Sequence, residues 1–197
     1  AYDFYFGVKG SGGGGWLNTG TAGDASYLEE THIIKVPITL AGISAETYYF
    51  APFGFEGNAM IAVLKAPGAS DGFALFNFHM GDGSPDTPNA NSERLKVLSD
   101  GKSIAESGPG GGAMIYVPIT AISHADCDGA WGKVNGGGSL GDKTNCSGND
   151  VVPAFQATLD GGYMAVATLF AENESDAESL LAQFKTWLGG RGAQKVL

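Results

Sequence analysis

Positive charge is scarce: eleven Lys and Arg stand against twenty-one Asp and Glu, for a formal net charge of -10. Contacts to nucleic-acid phosphates need clustered basic residues, and these eleven are scattered, so nucleic acid is not expected as a partner. Long apolar runs are missing too. None approaches the roughly 18 residues that a membrane helix requires, and no membrane span is expected. The chain holds only three histidines and two cysteines, which leaves little for a catalytic histidine pair or a zinc cluster. Ala1 and Tyr2 are followed by neither a basic nor an apolar leader segment, so a start after Met removal and a start after signal cleavage both fit.

Glycine is abundant instead, at 32 of 197 residues, about twice the usual share. It shows no period of three, and aromatic and aliphatic runs lie between its clusters, so these glycines read as turns and loops between strands. Apolar residues make up 43% of the chain, enough for one core in a domain of this length. The chain is expected to be a single β-rich domain over 1–197.

Alternation marks the strands. Tyr2, Phe4, Phe6 and Val8 share one face of an N-terminal strand, and the run from Gly10 to Gly15 reads as a flexible loop after it. His32, Ile34, Val36, Ile38 and Leu40 share a face of a second strand, where Pro37 calls for an edge or a bulge. Further strands are predicted over 47–53, 59–66, 73–80, 94–98, 112–123, 151–159 and 163–170. Asp160-Gly161-Gly162 between the last two is a hairpin signal. Val36-Pro37-Ile38-Thr39 recurs as Val117-Pro118-Ile119-Thr120, a half-domain duplication or a chance match. One amphipathic helix is specified over 175–188: Ser175 and Glu178 have capping-box spacing, Ala177, Leu180, Leu181, Phe184, Trp187 and Leu188 form one face, and Gly189 stops it. The fold class is therefore mainly β, an antiparallel β-sandwich or barrel of jelly-roll-like kind with one C-terminal amphipathic helix.

Cys127 and Cys146 enclose 18 residues rich in Gly, Asn and Asp. Such a loop has little apolar content to hold it, and a disulfide would supply the constraint. The pair is expected to be bridged, which implies an oxidising compartment.

Other motifs dissolve in their context. Gly137-Gly138-Ser139-Leu140-Gly141 has the letters of a nucleophile elbow but polar loop on both sides, where the elbow needs a strand and a helix. The glycines after the first strand do not open a helix, so no dinucleotide site is expected. His124, Asp126, Cys127 and Asp128 are weighed as zinc ligands and set aside, because a disulfide consumes the thiol. No cofactor is expected, with structural calcium left open on the loop carboxylates Asp82, Asp86, Asp126, Asp128, Asp142 and Asp150. Tyr48, Tyr49, Phe50, Phe53 and Phe55, with Phe73, Phe76 and Phe78, exceed what one strand face can bury. The surplus calls for a second layer, a subunit interface or a sugar-stacking platform.

With no catalytic constellation, the expected function is a non-enzymatic structural subunit. Tyr2, Phe4, Phe6 and Val8 form its assembly strand, and copies of itself are its partners, in an extracellular filament, a tube or a virion shell. The alternative is a secreted glycan- or ligand-binding β-sandwich module. Location is expected to be extracellular or at the cell surface, with the virion as the alternative.

Overall fold

The N-terminal alternation forms strand β1 (Asp3–Gly10), and the glycine run after it is the second arm of a tight hairpin, β2 (Gly13–Trp16), in place of the expected flexible loop. Gly14 shows why glycine is needed there. A Cβ on it would lie 2.3 Å from the Val8 carbonyl oxygen, so only a residue without a side chain lets β2 close on β1. The computed structural model describes residues 3–77, 93–108, 110–148, 151–159 and 161–197. Tyr2, Phe78, His79, Asp82, Asp86, Asp150 and Asp160 lie outside them.

Two short strands, β3 (Thr21–Ala22) and β4 (Ser26–Leu28), precede the hairpin of β5 (Ile33–Leu40) and β6 (Ile43–Phe50). Then come β7 (Asn58–Lys65), β8 (Asp71–Asn77), β9 (Glu93–Val97), β10 (Ile104–Ser107), β11 (Ala113–Pro118) and β12 (His124–Asp126). A helix, α1 (Ala130–Asn135), leads to β13 (Ser147–Gly148), β14 (Ala154–Thr158) and β15 (Tyr163–Ala171). The chain continues through α2 (Ala177–Leu188) and α3 (Ala193–Val196). The pairings are antiparallel and make two sheets, one of five strands in the order β12-β14-β8-β1-β2 and one of ten in the order β13-β9-β10-β11-β15-β7-β6-β5-β3, with β4 also on β5.

Period-two side-chain alternation sorts the interior into layers. Phe6 and Val8, Ala74 and Phe76, and Phe155 and Ala157 leave one sheet and meet Ala62 and Leu64, Met114 and Tyr116, and Met164 and Val166 from the other. This is the sandwich core. The opposite parity of the ten-stranded sheet, including Ile61, Val63, Ile115, Ala165 and Leu169, packs under Ala177, Leu181 and Phe184 of α2. The opposite face of the five-stranded sheet, with Trp16, Phe73 and Leu75, packs under Ala130 and Val134 of α1 and Leu140 of the loop after it. Burial on both faces explains why β7, β11 and β15 read as nearly continuous apolar runs. Each large side chain buried this way contributes about 1.5–3 kcal/mol.

Several local expectations change. The glycine pair after β14 does not close a hairpin, because β14 pairs with β8 and β12 while β15 pairs with β7 and β11. The turn is a corner between sheets. Gly162, at φ +80°, sits so close to Pro67 that a Cβ would come 2.7 Å from its Cα, and its carbonyl accepts from Ala66. His32 is in a turn with φ +56° and is exposed, off the strand face assigned to it. Pro37 lies opposite the break between β3 and β4, where Gly23 N donates to its carbonyl, so its missing N–H costs no ladder bond. Pro118 ends β11, an interior strand flanked by β10 and β15, so the repeated tetrapeptide occupies unlike places. Glu178 does not cap its own helix. Its carboxylate accepts from the Ser99 amide at 3.0 Å and the Ser99 hydroxyl at 2.7 Å, tying α2 to the turn between β9 and β10.

Candidate ligand-binding site

The disulfide forms between Cys127 and Cys146. Cys127 follows β12, an edge of the five-stranded sheet, and Cys146 precedes β13, an edge of the ten-stranded one. The bond therefore staples the two sheets together at one side of the sandwich, as well as closing its loop.

The loop has anchors of its own that composition hid. The Asp126 carboxylate, with no exposed side-chain surface, accepts from Lys133 Nζ at 2.6 Å, from Gly141 N at 2.6 Å and from Asp128 N at 3.0 Å. Burial opposes its ionisation, but Lys133 and the two amides outweigh burial and hold its pKa below the usual carboxylate value. The Gln156 side chain accepts from Leu140 N at 2.9 Å. So Leu140 and Gly141, part of the dismissed Gly-x-Ser-x-Gly letters, are where this loop is pinned to the sheet. A Cβ at Gly141 would lie 3.0 Å from Asp126 Oδ2.

These anchors place α1, and α1 places Trp131. Its ring stacks on Trp16 at 5.4 Å and 11°, and Trp16 Nε1 donates to the Trp131 carbonyl at 3.0 Å. Trp16 is fully buried, and Gly7 beneath it leaves room for the indole: a Cβ there would meet Trp16 Cε3 at 3.0 Å. Trp131 stays 38% exposed, and Tyr5 meets it edge to face at 5.2 Å. Beside this pair opens a groove of about 390 Å³, lined by both rings and by Leu75, Asn77, Val152, Cys127 and Gly129. Its size lies within the range of small-molecule sites, which are apolar with few polar groups.

Phe4, Phe6 and Val8 of the expected assembly strand face the sandwich core, and both edges of β1 are paired within the chain, to β2 and β8. Of the surplus aromatics, Tyr48, Phe50 and Phe55 lie under or beside α2, Tyr49 and Phe76 turn to the core, and Phe53 is 99% exposed. The second layer thus absorbs most of them. Of the carboxylates weighed for calcium, the three described ones have partners of their own: Asp126 is held by Lys133, Asp128 lies 3.8 Å from Lys143, and Asp142 accompanies His124 at 3.1 Å. Among the described residues no group of three or more His, Cys, Asp or Glu is arranged to hold a metal.

Two further charged clusters compete with the groove as functional sites. Tyr116 donates to Glu106 at 2.5 Å inside the sandwich, with Glu93 nearby; burial and then the Glu106 charge push the phenol well above its usual pKa. All three side chains are fully buried, so no ligand reaches them in this state. Glu46 binds Lys35, Lys65 and Tyr48 farther along the ten-stranded sheet, and the hydrogen bond from Lys35 leads in holding its pKa down to about 2. Half-exposed pairs of this kind brace strands modestly.

Sequence reading missed Trp131 and Tyr5 as a pair. The available signal was a lone tryptophan in an otherwise polar stretch between the cysteines.

No protein-family model matches this chain, and neither does any curated protein. Among solved structures, it is similar to a bacterial glucoamylase complexed with acarbose, with a TM-score of 0.67 and 8% identity over 96% of this chain. At that identity the likeness shows the fold alone. This chain spans 30% of the length of that glucoamylase chain.

Proposed function

We propose that this chain is a non-enzymatic, exported binding module whose ligand is a glycan, held in the groove beside Tyr5 and Trp131. One observation carries the reading. A tryptophan left 38% exposed is backed by a fully buried tryptophan, on a helix pinned by a buried carboxylate and a disulfide. A rigid aromatic plane at the surface suits the apolar face of a sugar ring, and its rigidity lowers the entropy cost of binding. The shared fold supports the reading, since it also occurs in part of a protein named for carbohydrate chemistry. The disulfide suits an oxidising compartment.

Assembly through strand edges has less in its favour. Both edges of β1 are occupied, and the sheets end in β2, β12, β13, β3 and β4, none longer than four residues. Short edge strands are a common way of preventing pairing between copies. Calorimetric titration with soluble oligosaccharides, alongside sedimentation of the same sample, separates the two readings. A saturable heat from a monomer supports the module. Concentration-dependent polymers with no oligosaccharide heat would return the chain to the structural class.

A further inference from the structure

Resting on the glycan reading, the distribution of charge narrows the ligand: we infer that the groove takes neutral saccharides and rejects anionic ones, with Asn77 as the residue that selects hydroxyl groups.

Every Lys and Arg of the chain lies among the described residues, because the others contain neither. None of the eleven lines the groove. The two basic residues of the cysteine loop are engaged elsewhere, Lys133 with Asp126 at 2.6 Å and Lys143 beside Asp128 at 3.8 Å. A carboxylate or sulfate on a sugar would enter without a Lys or Arg counter-charge, against the field of a chain with net charge -10. Removing an unpaired anion from water is costly, and like-signed fields lower encounter as well as affinity.

The groove's own chemistry points the same way. Tyr5, Leu75, Val152 and Trp131 supply apolar surface, and the Asn77 amide stands at the end of the same sheet face as Leu75, two residues along β8. An amide both donates and accepts, and can pair with adjacent hydroxyls, each of which does the same. A site with such a group rejects a ligand that leaves it unpaired. Hydroxyls beside an apolar ring face, with no ionic group, describe a neutral hexose.

The test titrates the intact, oxidised protein at pH 8, following tryptophan fluorescence. The probes are neutral hexose oligosaccharides, oligogalacturonate of equal length and tetramethylammonium. Neutral oligosaccharides are expected to bind with an affinity insensitive to salt, and oligogalacturonate at least about tenfold more weakly. Asn77→Ala should weaken neutral binding while the circular dichroism spectrum is unchanged. Asn77→Lys should gain oligogalacturonate binding that salt abolishes. Equal affinity for the neutral and acidic oligomers overturns the inference and leaves the glycan reading intact. Unaltered neutral binding by Asn77→Ala overturns the assignment of Asn77. Binding of tetramethylammonium alone, or of no probe, overturns the glycan reading and this inference with it.

Discussion

Helix α2 lies on the ten-stranded sheet through Ala177, Leu181 and Phe184, all buried, whereas α1 lies on the five-stranded sheet through only Ala130 and Val134. What α1 lacks in apolar surface it recovers from Asp126, from Gln156 through the loop at Leu140, and from the disulfide. Packing fills its contact with the sheet, so the helix that covers most leaves little open: Trp187 is half-buried, its Nε1 donating to the Phe53 carbonyl and Arg191 lying over its ring. A helix pinned by polar and covalent contacts can leave a tryptophan face and a groove beside it. Specific anchors, rather than area, are what allow an exposed aromatic surface to stay in place.

That contrast predicts a ranked set of effects. Phe184→Ala should be the most damaging single change, about 3–5 kcal/mol by urea denaturation, since it leaves a cavity under α2; oligosaccharide affinity should survive in the fraction that folds. Replacing both cysteines by alanine should cost about 2–4 kcal/mol, because closure of the loop no longer restricts the unfolded chain. Thiol titration of the unfolded, unreduced wild type should find no free sulfhydryl, and hydrogen exchange in the double variant should quicken at β12 and β13 more than in α1.

Asp126→Asn should come next, at roughly 1–3 kcal/mol, through weakened bonds to Lys133 and the two amides. Its distinguishing effect is on pH dependence. The folded pKa of Asp126 is lowered, so its stabilisation is present above the unfolded value near 4 and is lost as pH falls through the folded value. On the α2 side, burial opposes ionisation of Asp100, but Lys185 at 2.5 Å with the Lys102 and Ser103 donors takes its pKa from 3.8 to about 2. Acid should therefore loosen α2 over the pH range between about 4 and 2 and α1 as the pH falls below about 4 through the lowered value of Asp126, and Asp126→Asn should remove only the share belonging to α1. Equal acid sensitivity of groove binding in wild type and variant would contradict this. Trp131→Ala should cost clearly less than Phe184→Ala, roughly 1–2 kcal/mol, since its ring is only partly buried against Trp16 and Tyr5, yet it should abolish ligand binding.

The same contrast decides what could be read from residues alone. Alternation in Phe4, Phe6 and Val8 and the helical face of Leu181 and Phe184 are apolar signals with a period, and both proved to be the elements they described. The pairing of Cys127 with Cys146 also followed from the sparse apolar content between them. Turn letters carried less: Gly161-Gly162 signalled a reversal, but not that the chain would change sheets. Helix α1 was illegible, since six residues with a glycine inside and two buried side chains show no periodicity. Its supports are single hydrogen bonds between residues distant in sequence, such as Gly141 to Asp126 and Trp16 to Trp131. The groove inherits that illegibility, because Tyr5, Leu75, Asn77 and Trp131 come together only through sheet order.

The most direct test of the groove as the binding site is hydrogen exchange measured with and without a saturating neutral oligosaccharide. Protection should concentrate in the peptides spanning Phe4 to Gly7, Phe73 to Asn77 and Cys127 to Val134, and vanish in Trp131→Ala. Protection centred on α2 and β6, or persisting in the Trp131 variant, would place the ligand elsewhere and contradict the account.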